Sequence, residues 1–174
     1  MSLITQAVLA KAAIAVDAMD AADRVRLADE VFAHQPNLLA SVLVLQRMGA
    51  SLQEMDVPIH ILLVAWQAMK TSGHTWRVIS EDTQETCLQR MTKRIRFAEG
   101  MGRAALQLST QQYIDAHREP YLLAFAYGHL GENDLLGVKT EAQKSLMLAT
   151  LNLVECIAFA AIRTPPASRL PTSQ

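Results

Sequence analysis

Aromatic residues are scarce in this chain: Phe, Tyr and Trp make up 5% of 174 residues, although about half of all residues are hydrophobic. Leu, Ala, Val, Ile and Met therefore carry the apolar content. Straight-chain side chains and Ala lose little rotamer freedom in a helix, so this mix favours helices over sheets. Strand signals are lacking as well. No run alternates strictly between apolar and polar residues, and no Asn-Gly or Asp-Gly pair marks a hairpin. A surplus of one charge is also missing, since 16 Lys and Arg face 17 Asp and Glu for a formal net charge of −1. That balance gives no global argument for nucleic acid or a membrane surface.

The sequence has only two cysteines, Cys87 and Cys156, in neither a C-x-x-C nor a Cys/His zinc spacing. They read as reduced core thiols. Catalytic signatures are absent too: there is no G-x-x-x-x-G-K-[ST] loop, G-x-S-x-G elbow, H-E-x-x-H pair or EF-hand loop. Gly100-Met101-Gly102 lacks both a third glycine and a preceding strand. Helix bundles can hold metals through Glu-x-x-His, and that motif does not occur. Glu30 and His34, and Asp56 and His60, stand four residues apart, a spacing that suits a surface ion pair. No catalytic residue, metal or cofactor is expected.

Helix punctuation is plentiful. Asp20 caps a segment through Leu27 and Val31 to His34, and Pro36 opens the next, which stops near Gly49. Ser51 with Glu54 forms a capping box, with a second start signal at Asp56 and Pro58 before an apolar helix from Ile59 to about Thr71. Ser80, followed by Glu81 and Asp82, starts a long helix with an apolar seam of Leu88, Met91, Ile95 and Ala98. Ser109 with Gln112 opens a short helix and Pro120 another. Residues Gly128 to Gly137 read as a loop, and Thr140 with Gln143 opens the last helix. The expected fold is all-α: a single compact bundle of seven to nine helices over residues 1–163, with a disordered proline-rich tail over 164–174. Two stretches, Ala33-His34-Gln35-Pro36-Asn37-Leu38-Leu39-Ala40 and Ala116-His117-Arg118-Glu119-Pro120-Tyr121-Leu122-Leu123-Ala124, resemble each other. A duplicated four-helix unit is one origin of that resemblance; chance in a Leu- and Ala-rich chain is the other.

The apolar N-terminal stretch has no basic n-region and is interrupted by Lys11 and Asp17, which argues against a signal peptide. Leu146 to Ile162 approaches the length of a membrane span, but Asn152 and Glu155 within it favour a buried core helix. The cytoplasm is the expected location, with no membrane partner.

Three residue groups are candidates for function. Arg90, Lys93, Arg94 and Arg96, with Phe97 among them, form a basic helix face able to meet phosphates or an acidic partner. Leu148, Asn152, Glu155 and Phe159 share a strip of the last helix, with apolar residues interrupting polar ones, as at a homodimer interface. His34, His117, Glu119 and Tyr121 offer the groups of a polar pocket. The expected function is a non-enzymatic interaction or adaptor protein that pairs with itself and with another protein. One alternative is a nucleic-acid-binding regulator using the basic face of residues 80–100. The other is a small-ligand-binding or enzymatic bundle with a pocket near His117.

Overall fold

The two helices with the most buried residues are also the two twenty-residue helices, α4 (Leu52–Thr71) and α8 (Glu141–Ala160). The computed structural model describes residues 1–163. The other helices in that span are α1 (Gln6–Asp17), α2 (Ala21–His34), α3 (Pro36–Arg47), α5 (Glu81–Ala98), α6 (Arg103–Ala116) and α7 (Pro120–Glu132). Two-residue strands β1 (Thr75–Trp76) and β2 (Ala161–Ile162) follow α4 and α8 and pair antiparallel. The chain is an all-α bundle of eight helices among the described residues. None of these helices is long and apolar enough to cross a membrane. The proline-rich stretch from Thr164 lies outside the described residues.

α4 and α8 lie side by side and run in the same direction. Near their starts, Gln143 Nε2 donates to Glu54 Oε1 at 3.0 Å, and beyond their ends β1 pairs with β2. Both helices have buried residues on most sides, including Ile61, Leu62 and Val64 of α4 and Leu153, Val154 and Ile157 of α8. They can be buried only if other helices surround them, and the surround repeats. In the first half α1 and α3 pack on α4; in the second, α5 and α7 pack on α8. Across the halves, α3 also packs on α8 and α7 on α4. The two four-helix halves thus share one packing plan around the α4–α8 pair.

The resembling segments form the joints of this plan. Gln35 and Glu119 each precede a proline, which disfavours helical backbone at the preceding residue, so the chain turns there and proline opens the next helix. Neither side chain caps its helix. Each points inward and grips an extended segment instead. Gln35 Nε2 donates to the Arg77 carbonyl and its Oε1 accepts from the Ile79 N–H, both at 2.9 Å. Glu119 accepts from the Leu3 and Ile4 N–H groups, each at 3.0 Å, and from the Ser2 hydroxyl at 2.6 Å. Ile4 and Ile79 are fully buried just ahead of the caps Thr5 and Ser80.

Three punctuation marks act differently from the sequence expectation. Pro58 lies inside α4, because Val57, Pro58, Ile61 and Leu62 are all buried and outweigh one lost backbone bond. Ser109 lies inside α6, whose first turns hold the good helix formers Ala104, Ala105 and Leu106. Gly128 and Gly131 are helical residues of α7, held by the buried stripe Leu122, Leu123, Ala126 and Leu130. Gly49 behaves as expected: its φ of +101° ends α3 in a conformation that side chains disfavour.

Truncating either joint strands buried backbone groups. Glu119→Ala should destabilise the fold by about 3 kcal/mol and Gln35→Ala by about 2 kcal/mol, at roughly 1–3 kcal/mol per buried group left unpaired. Urea denaturation followed by circular dichroism measures both; values under about 0.5 kcal/mol would mean that water replaces the lost bonds.

Candidate functional site

The two halves differ where α2 and α6 sit. In the first half α2 lies against both α3 and α4; in the second, α6 packs on α7 and makes no comparable contact with α8. Burial follows the same difference: α6 has no buried residue, and Leu106 and Leu108 remain exposed. A groove of about 750 Å³ opens among α5, α6, α7 and α8. Its walls are largely apolar, from Ile95 and Ala98 of α5, Leu106 of α6, Met147 and Leu151 of α8, and Met101.

One side of the groove is polar. Arg94 reaches it from the edge of the α5 seam, with its guanidinium carbon 3.8 Å from the centre of the Tyr113 ring. Arg94 Nη1 also donates to Glu155 Oε1 at 3.3 Å. Tyr113, on α6, meets the His117 ring nearly edge-on at 5.6 Å. The Nδ1 of His117 accepts the Glu119 N–H at 3.1 Å, so the neutral ring carries its hydrogen on Nε2, which lies 3.5 Å from Glu155 Oε2. Both ring nitrogens are thereby engaged. The Tyr113 hydroxyl is buried and has no hydrogen-bond partner among the described residues. Tyr127 of α7 lines the same groove.

Burial sets the protonation of these groups. It pushes the Glu155 carboxyl above the usual carboxylate range, opposed by Arg94, and holds His117 below an ordinary imidazole, opposed in part by the charge of the Glu119 carboxylate. The Tyr127 hydroxyl is raised by burial, with Arg94 pulling the other way. Cys87 of α5 and Cys156 of α8 are free and buried. Burial raises both thiols, which makes them poor nucleophiles. No group of three or more His, Cys, Asp or Glu side chains able to hold a metal occurs among the described residues.

The structure redistributes the residues expected from sequence. All five residues of the basic face are exposed; Arg94 in addition engages Glu155 and Tyr113, and Arg90 lies 6.0 Å from the Phe159 ring centre. The buried seam of α5 holds Cys87 and Met91 with Ile95 partly buried; Leu88 stands at its exposed edge. Of the strip on α8, Asn152 is buried and donates to the Gln84 carbonyl at 3.0 Å. Glu155 is turned to Arg94 and His117, and Leu148 packs partly buried against the core. Only Phe159 is broadly exposed, so the polar members of the expected interface are spent within the chain.

The expected pocket quartet separates as well. His34 stacks on Trp66 of α4 at 5.4 Å, while His117 faces Glu155 of α8, so each serves its own half. Glu119 is consumed by the N-terminal segment, and Tyr121 is exposed. The Glu30 carboxylate binds Lys70 rather than His34, whose Nδ1 meets the Glu30 carbonyl. His60 lies 3.8 Å from Asp17 and 5.0 Å from the His129 ring, not against Asp56.

Sequence reasoning missed Tyr113 and Tyr127 as groove residues. The available signal was the weak apolar face of α6. Comparison with known protein families, with curated proteins and with solved structures finds no match for this chain.

A pH dependence follows from the two imidazoles. Burial lowers His60 as well as His117 in the folded state, and His129 adds to the effect at His60. The unfolded chain therefore takes up protons first, and stability declines as pH falls through the ordinary histidine range. The slope is up to about 1.4 kcal/mol per pH unit for each histidine. Glu155, raised in the folded state, works in the opposite sense. Relative to a His60→Gln/His117→Gln variant, the parent should lose stability between about pH 7.5 and pH 5.5. Urea denaturation across that range measures the difference, and parallel curves would disprove it.

Proposed function

We propose that the protein binds a small, largely apolar molecule in the groove among α5, α6, α7 and α8. The observation that carries the reading is the broken equivalence of the halves: one packing plan is closed at α2 and open at α6. At about 750 Å³ the groove falls within the usual range of small-molecule sites, which combine apolar walls with a few convergent polar groups. The unpartnered Tyr113 hydroxyl supports it further, because a buried polar group without a partner is costly unless an occupant supplies one. Binding fits better than turnover. His117 has no free basic nitrogen, and both thiols are raised.

This reading takes precedence over the homodimer and nucleic-acid expectations because Asn152, Glu155 and Arg94 find partners within the chain.

Nile red, a neutral apolar dye, tests the groove directly. The parent should bind it with a fluorescence increase, and Ala98→Phe, which places a ring on the groove wall, should weaken binding about tenfold, the cost of roughly 1.4 kcal/mol of lost contact. Leu43→Gln, at an exposed position on α3, should leave binding unchanged. Equal binding by the parent and Ala98→Phe would place the dye elsewhere and remove the proposal.

A further inference from the structure

We infer that the occupant of the groove is an amphipathic anion, a single-chain carboxylate whose head lies between Arg94 and the hydroxyls of Tyr113 and Tyr127. The inference rests on the groove as a binding site and adds the chemical class of its ligand.

Around Arg94 the groove presents donors: its own guanidinium and the hydroxyls of Tyr113 and Tyr127. Among the described residues, the only hydrogen bond of Arg94 runs from Nη1 to Glu155 at 3.3 Å, which leaves Nε and Nη2 for another acceptor. The Tyr113 hydroxyl is buried without a partner and lies on the ring that Arg94 covers. Tyr127 lines the same groove and feels the charge of Arg94. Glu155, the nearest acceptor, is already shared by Arg94 and His117. A guanidinium edge presents parallel N–H groups that match the two oxygens of a carboxylate, and charge-assisted bonds of this kind are the strong ones.

The surrounding charge agrees with this assignment. Arg90, Lys93 and Arg96 share α5 with Arg94, and Arg103 begins α6. Glu99 lies on the groove lining beside Gly100, past the last residue of α5. It follows Arg94 by five residues, so the head is placed at Arg94 rather than at the helix end. The remaining wall, with Ile95, Ala98, Leu106, Met147 and Leu151, offers the tail only apolar contact.

A matched pair of probes separates the head from the tail. Decanoate and 1-decanol carry the same chain with a charged or a neutral head, and both are measured by Nile red displacement from the full chain. Decanoate should displace the dye at about one-tenth the concentration of decanol, the advantage of one charge-assisted contact. Arg94→Gln should erase that advantage and leave decanol within twofold of the parent. Tyr113→Phe removes a hydroxyl that has no partner in the empty groove, so it should keep or raise stability while weakening decanoate severalfold. That variant decides the matter if Arg94→Gln fails to fold. If both probes bind equally well, and Ala98→Phe blocks both, the groove reading stands and the anionic head is wrong. If neither probe displaces the dye, the groove reading falls with it.

Discussion

The rest of the fold depends on the burial of α4 against α8. Each carries apolar residues around most of its circumference, so neither can lie at a surface, and the two together need cover on every remaining side. Two polar groups inside this pair have local solutions, whereas Gln67 Oε1 and Asn152 Oδ1 are buried without a partner among the described residues. The Thr150 hydroxyl donates to the Leu146 carbonyl, and Asn152 reaches the Gln84 carbonyl of α5. Gln143 and Glu54 join the helix starts, and the β1–β2 pair joins their far ends. Register between the central helices is thereby fixed at both limits, and the outer helices fill the space that remains.

A shared scaffold does not require shared contents. Trp66 and Glu155 occupy the same position in the two twenty-residue helices, and each faces the histidine that ends the preceding arm of its half. Four residues before those histidines stand Glu30 and Tyr113. In the first half the large apolar Trp66 ring fills the space, and Glu30 meets it at the rim together with Lys70. In the second half a carboxylate replaces the indole, and an arginine must reach across to compensate it. A carboxylate is smaller than an indole, and no residue of the arm helix α6 is fully buried over it. The groove opens where α6 leaves Leu106 and Leu108 exposed and does not close over α8.

Much of this architecture was legible in the chain. Asp20, Ser51, Ser80 and Thr140 each accept from a backbone N–H in the first turn of the helix they open, and Pro36 and Pro120 begin theirs. Local chemistry decides such sites, so local sequence reveals them. Pro58 and Gly128 misled because burial of a whole helix face outweighs one lost bond or one flexible residue. The site was less legible for a different reason. A helical projection places Asn152 and Glu155 on one strip but cannot tell whether the facing surface belongs to water, to another copy or to α5. Arg94 looked like its basic neighbours because helical spacing alone does not show Tyr113 and Glu155 arriving from other helices. The likeness of the two proline joints was visible in sequence; their task of gripping distant extended segments was not.

Those joints connect the halves crosswise. Gln35 of the first half holds the segment leading into α5, and Glu119 of the second holds the segment leading into α1. During synthesis, Ser2 to Ile4 leave the ribosome 117 residues or fewer ahead of the carboxylate that satisfies their backbone. The first helices therefore cannot complete their native contacts while the chain is still short. The Ile4 N–H, buried in the finished protein, has no Glu119 carboxylate to bind until that residue is made. Closure across so many residues is entropically slow, which ties completion of the bundle to release of its second half.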